Sequence, residues 1–149
     1  AGQGGDFTFR YILTSGDTLS PDQLSQLGWE ETTPLELNAI VSQDKEANTP
    51  QSPGSSTGRF VEVNPPNVLL IAWKMAEDGK GSILRFLEAA GRAETVTVRI
   101  PLLQIQTAWM CNAVEQNDHL LSASGHEFTF SATPFQIATV RVEGDSLPV

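Results

Sequence analysis

The sequence predicts an all-β chain: an antiparallel β-sandwich of about eight or nine strands, with one short helix near the N-terminus. Three observations carry this. Stretches rich in β-branched and aromatic residues recur from Arg59 to Val142, separated by short turn signals. Only one place has a good helix start. No connection carries the crossover helix that a parallel sheet requires. A closed β-barrel is the second choice. The 149 residues fit one domain, which would bury roughly 68–70% of the surface of the unfolded chain. We place that domain at 7–142, with flexible ends at 1–6 and 143–149.

Taken in order, Phe7 to Leu13 is aromatic and β-branched and is bounded by Ser15-Gly16-Asp17, so it is expected to be a strand. Ser20 stands before Pro21 with Gln23 three residues on, a capping-box spacing with proline at the first helical position. Leu24 and Leu27 share a face and Gly28 can end the helix, which predicts about two turns. Trp29 is expected to pin that helix to the sandwich. Pro34 to Val41 reads as extended. Gln43 to Gly58 contains no Val, Ile, Leu, Met or aromatic residue and is expected to be a mobile surface loop.

Beyond Arg59 the pattern is strand throughout. Phe60 to Val63 leads into the turn Asn64-Pro65-Pro66-Asn67. Val68 to Met75 is apolar on both parities, which predicts cover on both faces, by the second sheet and a loop or by a partner. Glu77-Asp78-Gly79 is a hairpin signal, and Ser82 to Glu88 is the next strand. In Thr95 to Ile100, Val96, Val98 and Ile100 alternate with Thr95, Thr97 and Arg99. Leu103 to Cys111 is extended. Phe128 and Phe130 mark another strand, and Phe135 to Val142 the last, with Ala138, Val140 and Val142 aligned inward. Phe135 and Ile137 have the opposite parity, which predicts a bulge or burial on both faces near Ile137.

Composition excludes several classes. Nine Lys and Arg against 18 Asp and Glu give a formal charge of −9, which argues against duplex nucleic acid or an anionic membrane as partner. The longest apolar run, Val68 to Trp73, is six residues, against the ~20 that a spanning helix needs. The lone Cys111 lies in an apolar strand pattern and reads as a buried structural thiol. It makes no internal disulfide. A reducing, cytoplasmic setting is the expectation, since no basic-apolar leader is visible.

Motifs for catalysis are missing. There is no Gly-rich phosphate loop after a strand, and no His-x-x-x-His, His-x-Asp or Cys-x-x-Cys. His119 and His126 read as solvated loop residues, and no metal site is assigned. Trp73 and Trp109 lie in apolar strands and are expected in the core; a carbohydrate-binding module would need them exposed in a row. Glu88 shares a parity with Leu84 and Phe86, so it is expected to point toward a covered face, where a carboxylate needs a partner. Arg92, beyond the next turn, is the candidate. Arg85, Glu88 and Arg92 are therefore the interface candidates, and no residue is given a catalytic or ligand-binding role.

One set of segments has a specific likeness. Asn67-Val68-Leu69-Leu70-Ile71-Ala72-Trp73-Lys74, followed by Ile83-Leu84-Arg85-Phe86-Leu87-Glu88 and Gly91-Arg92, resembles the C-terminal β-domain of family 38 glycoside hydrolases, the α-mannosidases. The likeness continues through Val96-Thr97-Val98, Ala108 to Glu115 and Pro134 to Val142. Upstream it is weaker: Phe7 to Leu13 and Thr33-Pro34-Leu35 are similar to the family's preceding strand and Pro-Leu segment, but Ser15-Gly16 stand where a His is often found. Leu87 stands where the family often has Tyr. The resemblance implies a non-catalytic C-terminal sandwich that packs on the catalytic and middle domains of a parent enzyme hydrolysing terminal α-mannosides, with possible glycan contact. It also implies that the zinc belongs to the parent's N-terminal domain, so no cofactor is expected in this chain. A stand-alone carbohydrate-binding module and a structural interaction domain are the alternative readings.

Overall fold

The computed structural model describes residues 4–6, 8–33 and 59–146. It contains one helix, α1 (Pro21–Thr32), and nine strands: β1 (Glu62–Asn64), β2 (Val68–Met75), β3 (Ser82–Glu88), β4 (Glu94–Arg99), β5 (Leu103–Cys111), β6 (Asn117–Leu120), β7 (Ser122–Ser124), β8 (Glu127–Ala132) and β9 (Ile137–Ser146). The strands form two antiparallel sheets, one in the order β1-β4-β8-β7 and the other β2-β3-β9-β5-β6. The predicted sandwich is borne out. Every strand pair is antiparallel, so none needs a helical crossover.

The core follows from period-two alternation. Val96 and Val98 on β4 and Phe128 and Phe130 on β8 face inward from the smaller sheet. Leu84 and Phe86 on β3, Ala138, Val140 and Val142 on β9, and Ala108 on β5 face them from the larger one. Phe86 packs between Phe128 and Phe130 at centroid separations of 6.3 and 5.2 Å, within the favourable range for tilted and edge-on rings.

The first half departs from expectation. Residues 8–13 form no strand, and all of them are exposed. Alternation supplies one apolar edge, but a strand also needs a hydrogen-bonded neighbour, and this segment has none among the described residues. Helix α1 is three turns long and runs through Gly28. A glycine inside a helix costs only about 1 kcal/mol relative to alanine, so it need not end one. The cap comes later, where the Thr33 amide and hydroxyl both donate to the Trp29 carbonyl. The helix start is as read, with the Ser20 amide donating to Gln23 Oε1 at 3.0 Å. Trp29 does not pin the helix to the sandwich: it is 39% exposed, and α1 has no buried residue. The expected extended segment 34–41 and surface loop 43–58 lie outside the described residues.

The second half departs in detail. Strand β2 is an edge strand, with only Val68 buried and with Trp73 and Met75 exposed, so cover on both faces is not found. Its apolar character on both parities reflects a half-covered edge. No bulge occurs at Ile137. The β3–β9 register runs unbroken from Ser82↔Val142 to Leu87↔Ile137, and Phe135 and Ile137 are exposed. The bulges lie instead at Leu70/Ala72, Ile105/Thr107 and Met110/Cys111. Strand β9 continues to Ser146, past Val142, because β5 is long enough to pair with it there.

Candidate functional site

The most organised polar cluster sits on the outer face of the five-stranded sheet. With Leu84, Val140, Ala108 and their neighbours turned inward, the alternate residues must turn outward. Register then places Lys74, Ile83, Arg141, Trp109 and Leu120 side by side across β2, β3, β9, β5 and β6. The next row holds Ala72, Arg85, Thr139, Cys111 and Asn117. Two turns fold onto this face. The β5–β6 loop presents carbonyls to the two arginines: Arg85 Nη2 donates to Ala113 O at 3.1 Å, and Arg141 Nη2 to Glu115 O at 2.9 Å. The β2–β3 turn supplies Asp78, whose two carboxylate oxygens both accept from Arg141 Nη1 at 2.8 Å. Ile83 is fully buried although it faces outward, because this arch of loop and side chains covers it.

Glu115 is the keystone of the arch. Its backbone is left-handed, with φ 65°, a conformation that costs of order 1 kcal/mol or more for a residue with a side chain. Its carboxylate accepts from Lys74 Nζ at 2.7 Å and from the Glu77 amide at 2.9 Å. Lys74 also pairs with Glu77. The Lys74 ammonium, and then the Glu77 amide, hold the Glu115 carboxyl below the usual carboxylate range, and Glu115 in turn raises Lys74. Arg141 lowers Asp78 and is itself raised by it. Glu77, Asp78, Glu115 and Arg141 line, with Trp109, a cleft of about 650 Å³.

This arrangement does not suit acid–base or nucleophilic chemistry. A general acid at neutral pH needs a raised carboxyl pKa, and the shifted carboxyls here are all lowered. Burial raises the Cys111 thiol, which keeps it protonated and unreactive. Among the described residues no group of three or more His, Cys, Asp and Glu side chains could hold a metal ion, and no helix is long and apolar enough to cross a membrane.

The second polar feature is the corner at the end of β3. Glu88 is 1% exposed. Its carboxylate accepts from Asn67 Nδ2 (2.8 Å) and from the amides of Ala90 (2.8 Å), Gly91 (2.8 Å), Arg92 (3.1 Å) and Phe135 (2.9 Å). Burial alone pushes this carboxyl up, but the Phe135 amide, the Asn67 side chain and the turn amides outweigh it and bring it down to about 2. The corner is tight: Gly91 has φ 72°, and a side chain there would run into the Phe135 ring, so only glycine fits.

Glu88 therefore lies buried with partners, as its parity indicates, but the expected ion pair with Arg92 does not form. Arg92 contributes its backbone N–H, and its side chain is exposed. Arg85 lies on the opposite face of β3, under the arch, so Arg85, Glu88 and Arg92 do not converge on one site. Sequence reasoning overlooked Arg141, Asp78 and Glu115. The parity of Arg141, opposite to Val140 and Val142, was the available signal for it; nothing local marks Asp78 or Glu115 as its partners. Cys111 is buried as read. The tryptophans are not core residues: Trp73 is 45% exposed, and Trp109 is half-buried in the cleft. His119 is exposed beside Asp118, whereas His126 is half-buried with Nδ1 at 2.8 Å from the Leu103 carbonyl oxygen.

The family model for the glycosyl hydrolases family 38 C-terminal beta sandwich domain matches residues 67–140. Residues 67–140 belong to this family. No curated protein matches the chain. The family 38 match begins at Asn67, in the Glu88 corner, and ends on β9 one residue before Arg141, so it contains the whole carboxylate corner and all of the arch except its central arginine.

Proposed function

We propose that this chain is the non-catalytic C-terminal sandwich region of a zinc-dependent α-mannosidase, packed on the catalytic and middle domains of its parent enzyme. The observation that carries this reading is the family 38 match over residues 67–140. Two features of the molecule agree with it. The carboxylates of the arch and corner are engaged in internal ties and hold lowered pKa values, as suits a scaffold. Large apolar side chains are left uncovered on the N-terminal arm and on the sheet: Phe9, Tyr11 and Leu13 are 73, 83 and 96% exposed, and Phe135 and Ile137 are 68 and 60% exposed. Such surface suits a piece that is buried within a larger assembly.

In this reading the zinc and the residues that hold it belong to the parent's catalytic domain, and cleavage of terminal α-linked mannose occurs there. The reading frame upstream of the Ala1 codon tests it. The expected result is an open frame that continues into sequence with His-x-Asp zinc-ligand motifs. An authentic start codon immediately before the Ala1 codon, with an in-frame stop codon just upstream, would contradict it.

A further inference from the structure

The cleft beneath the Glu115 arch has lining groups that the arch does not use. The amide oxygens of Gln116 and Asn117 accept from Asn112 and Cys111, but their side-chain NH2 groups, the Trp109 indole N–H and the Lys80 ammonium have no hydrogen-bond partner among the described residues. The ring of Trp109 is half-buried, so it stands fixed with part of its surface open to the cleft. Arg141, 5% exposed, is part of the lining, and its Nε has no partner. From this we propose that the cleft over Trp109 binds a neutral saccharide.

The lining chemistry selects that class. An anion would meet four carboxylates (Glu77, Asp78, Glu115 and Glu143) against two cations, Lys80 and Arg141. A cation would find three of the four carboxylates already paired with Arg141 or Lys74, leaving only Glu143 without a cationic partner. Both oxygens of Asp78 are held by Arg141, and Glu115 and Glu77 share Lys74. Glu143 accepts from the Thr107 hydroxyl at 3.3 Å. What remains open is an aromatic ring, several amide and amine donors, and the outer lone pairs of Glu77 and Glu143. A ring with one apolar face and several hydroxyls matches that set, since each hydroxyl can donate and accept at once. The site stands apart from the docking of the sandwich in a parent enzyme: it could be occupied whether or not that docking occurs.

Titration of the whole chain with methyl α-mannoside, an α-linked mannobiose and the corresponding glucose, galactose and N-acetylglucosamine glycosides tests this, by calorimetry and by tryptophan fluorescence. At least one glycoside is expected to bind saturably, with a dissociation constant of about 1 mM or tighter. Trp109→Ala should weaken it about tenfold or more, Trp109→Phe less, and Gln116→Ala measurably. Trp73→Ala, outside the cleft, should leave it unchanged. Cooperative thermal melting establishes that each variant is folded; should Trp109→Ala fail to fold, Trp109→Phe and Gln116→Ala decide. The proposal is overturned if no glycoside binds saturably, if binding survives the decisive cleft variants unchanged, or if tetramethylammonium binds at Trp109 where the glycosides do not.

Discussion

At the scale of single residues, Glu88 does the most to fix the sandwich. Its carboxylate joins the end of β3, the following turn, Asn67 and Phe135. Glu88→Gln keeps the shape but turns an amide donor toward a ring of donors. We expect it to destabilise the fold by about 2–3 kcal/mol, the worth of a buried charge-assisted hydrogen-bond set with one member lost, read as a lower urea midpoint at pH 7. The pH dependence has a definite sign. The folded pKa, about 2, lies below the ordinary 4.5, so the stabilisation is fully present above about pH 4.5 and is lost as pH falls toward 2. The wild-type urea midpoint should drop across that window more steeply than that of Glu88→Gln; parallel curves would refute the role given to this carboxylate. The burial of Glu88 was legible from its parity with Leu84 and Phe86. Its partners were not, because backbone amides carry no sequence signature and Phe135 is 47 positions away.

At the scale of elements, the strands whose alternation is complete were legible and those at the margins were not. Strands β3 and β5 fall on the ranges that their patterns indicate. Strands β6 and β7 went unseen, since Asn117 to Ser124 is mostly polar and exposed and only Leu121 and Ala123 turn toward the core, too short a stripe to mark a strand. Phe9, Tyr11 and Leu13 show the opposite error: pattern without a neighbour. Three expectations follow from the packing. Phe86→Ala, which empties the space between Phe128 and Phe130, should cost about 3–5 kcal/mol in chemical denaturation. Gly144 lies opposite Ile105, at the β5–β9 bulge, where an added Cβ would collide with the Gln104 carbonyl. Gly144→Ala should therefore lower stability by about 1–3 kcal/mol, and an unchanged melting temperature would show that the two strands do not approach as described. Helix α1 buries none of its residues, and isolated helices of this length are marginal in water. Its amides should exchange with deuterium far faster than those of β3 and β9; equal protection would mean that the helix is packed.

For the whole molecule, the two-sheet architecture could be read from the alternation in β3, β4, β8 and β9, and the family likeness from the particular segments quoted between residues 67 and 142. The polar arch could not, since it is made of contacts between a hairpin turn, a loop and a strand that are far apart in sequence. The lowered carboxyl groups and the internal pairing of Lys74, Asp78, Glu115 and Arg141 agree with the proposed supporting role, in which the reaction belongs to the rest of a parent enzyme. The central claim is that this chain does not itself hydrolyse glycosides. Its most direct test is an assay of the purified chain on an aryl α-mannoside with added zinc, at a protein concentration high enough to detect slow turnover. Release of the aryl alcohol should not exceed that in buffer, whereas turnover in the ordinary enzymatic range, ~1–10³ s⁻¹, would contradict the account.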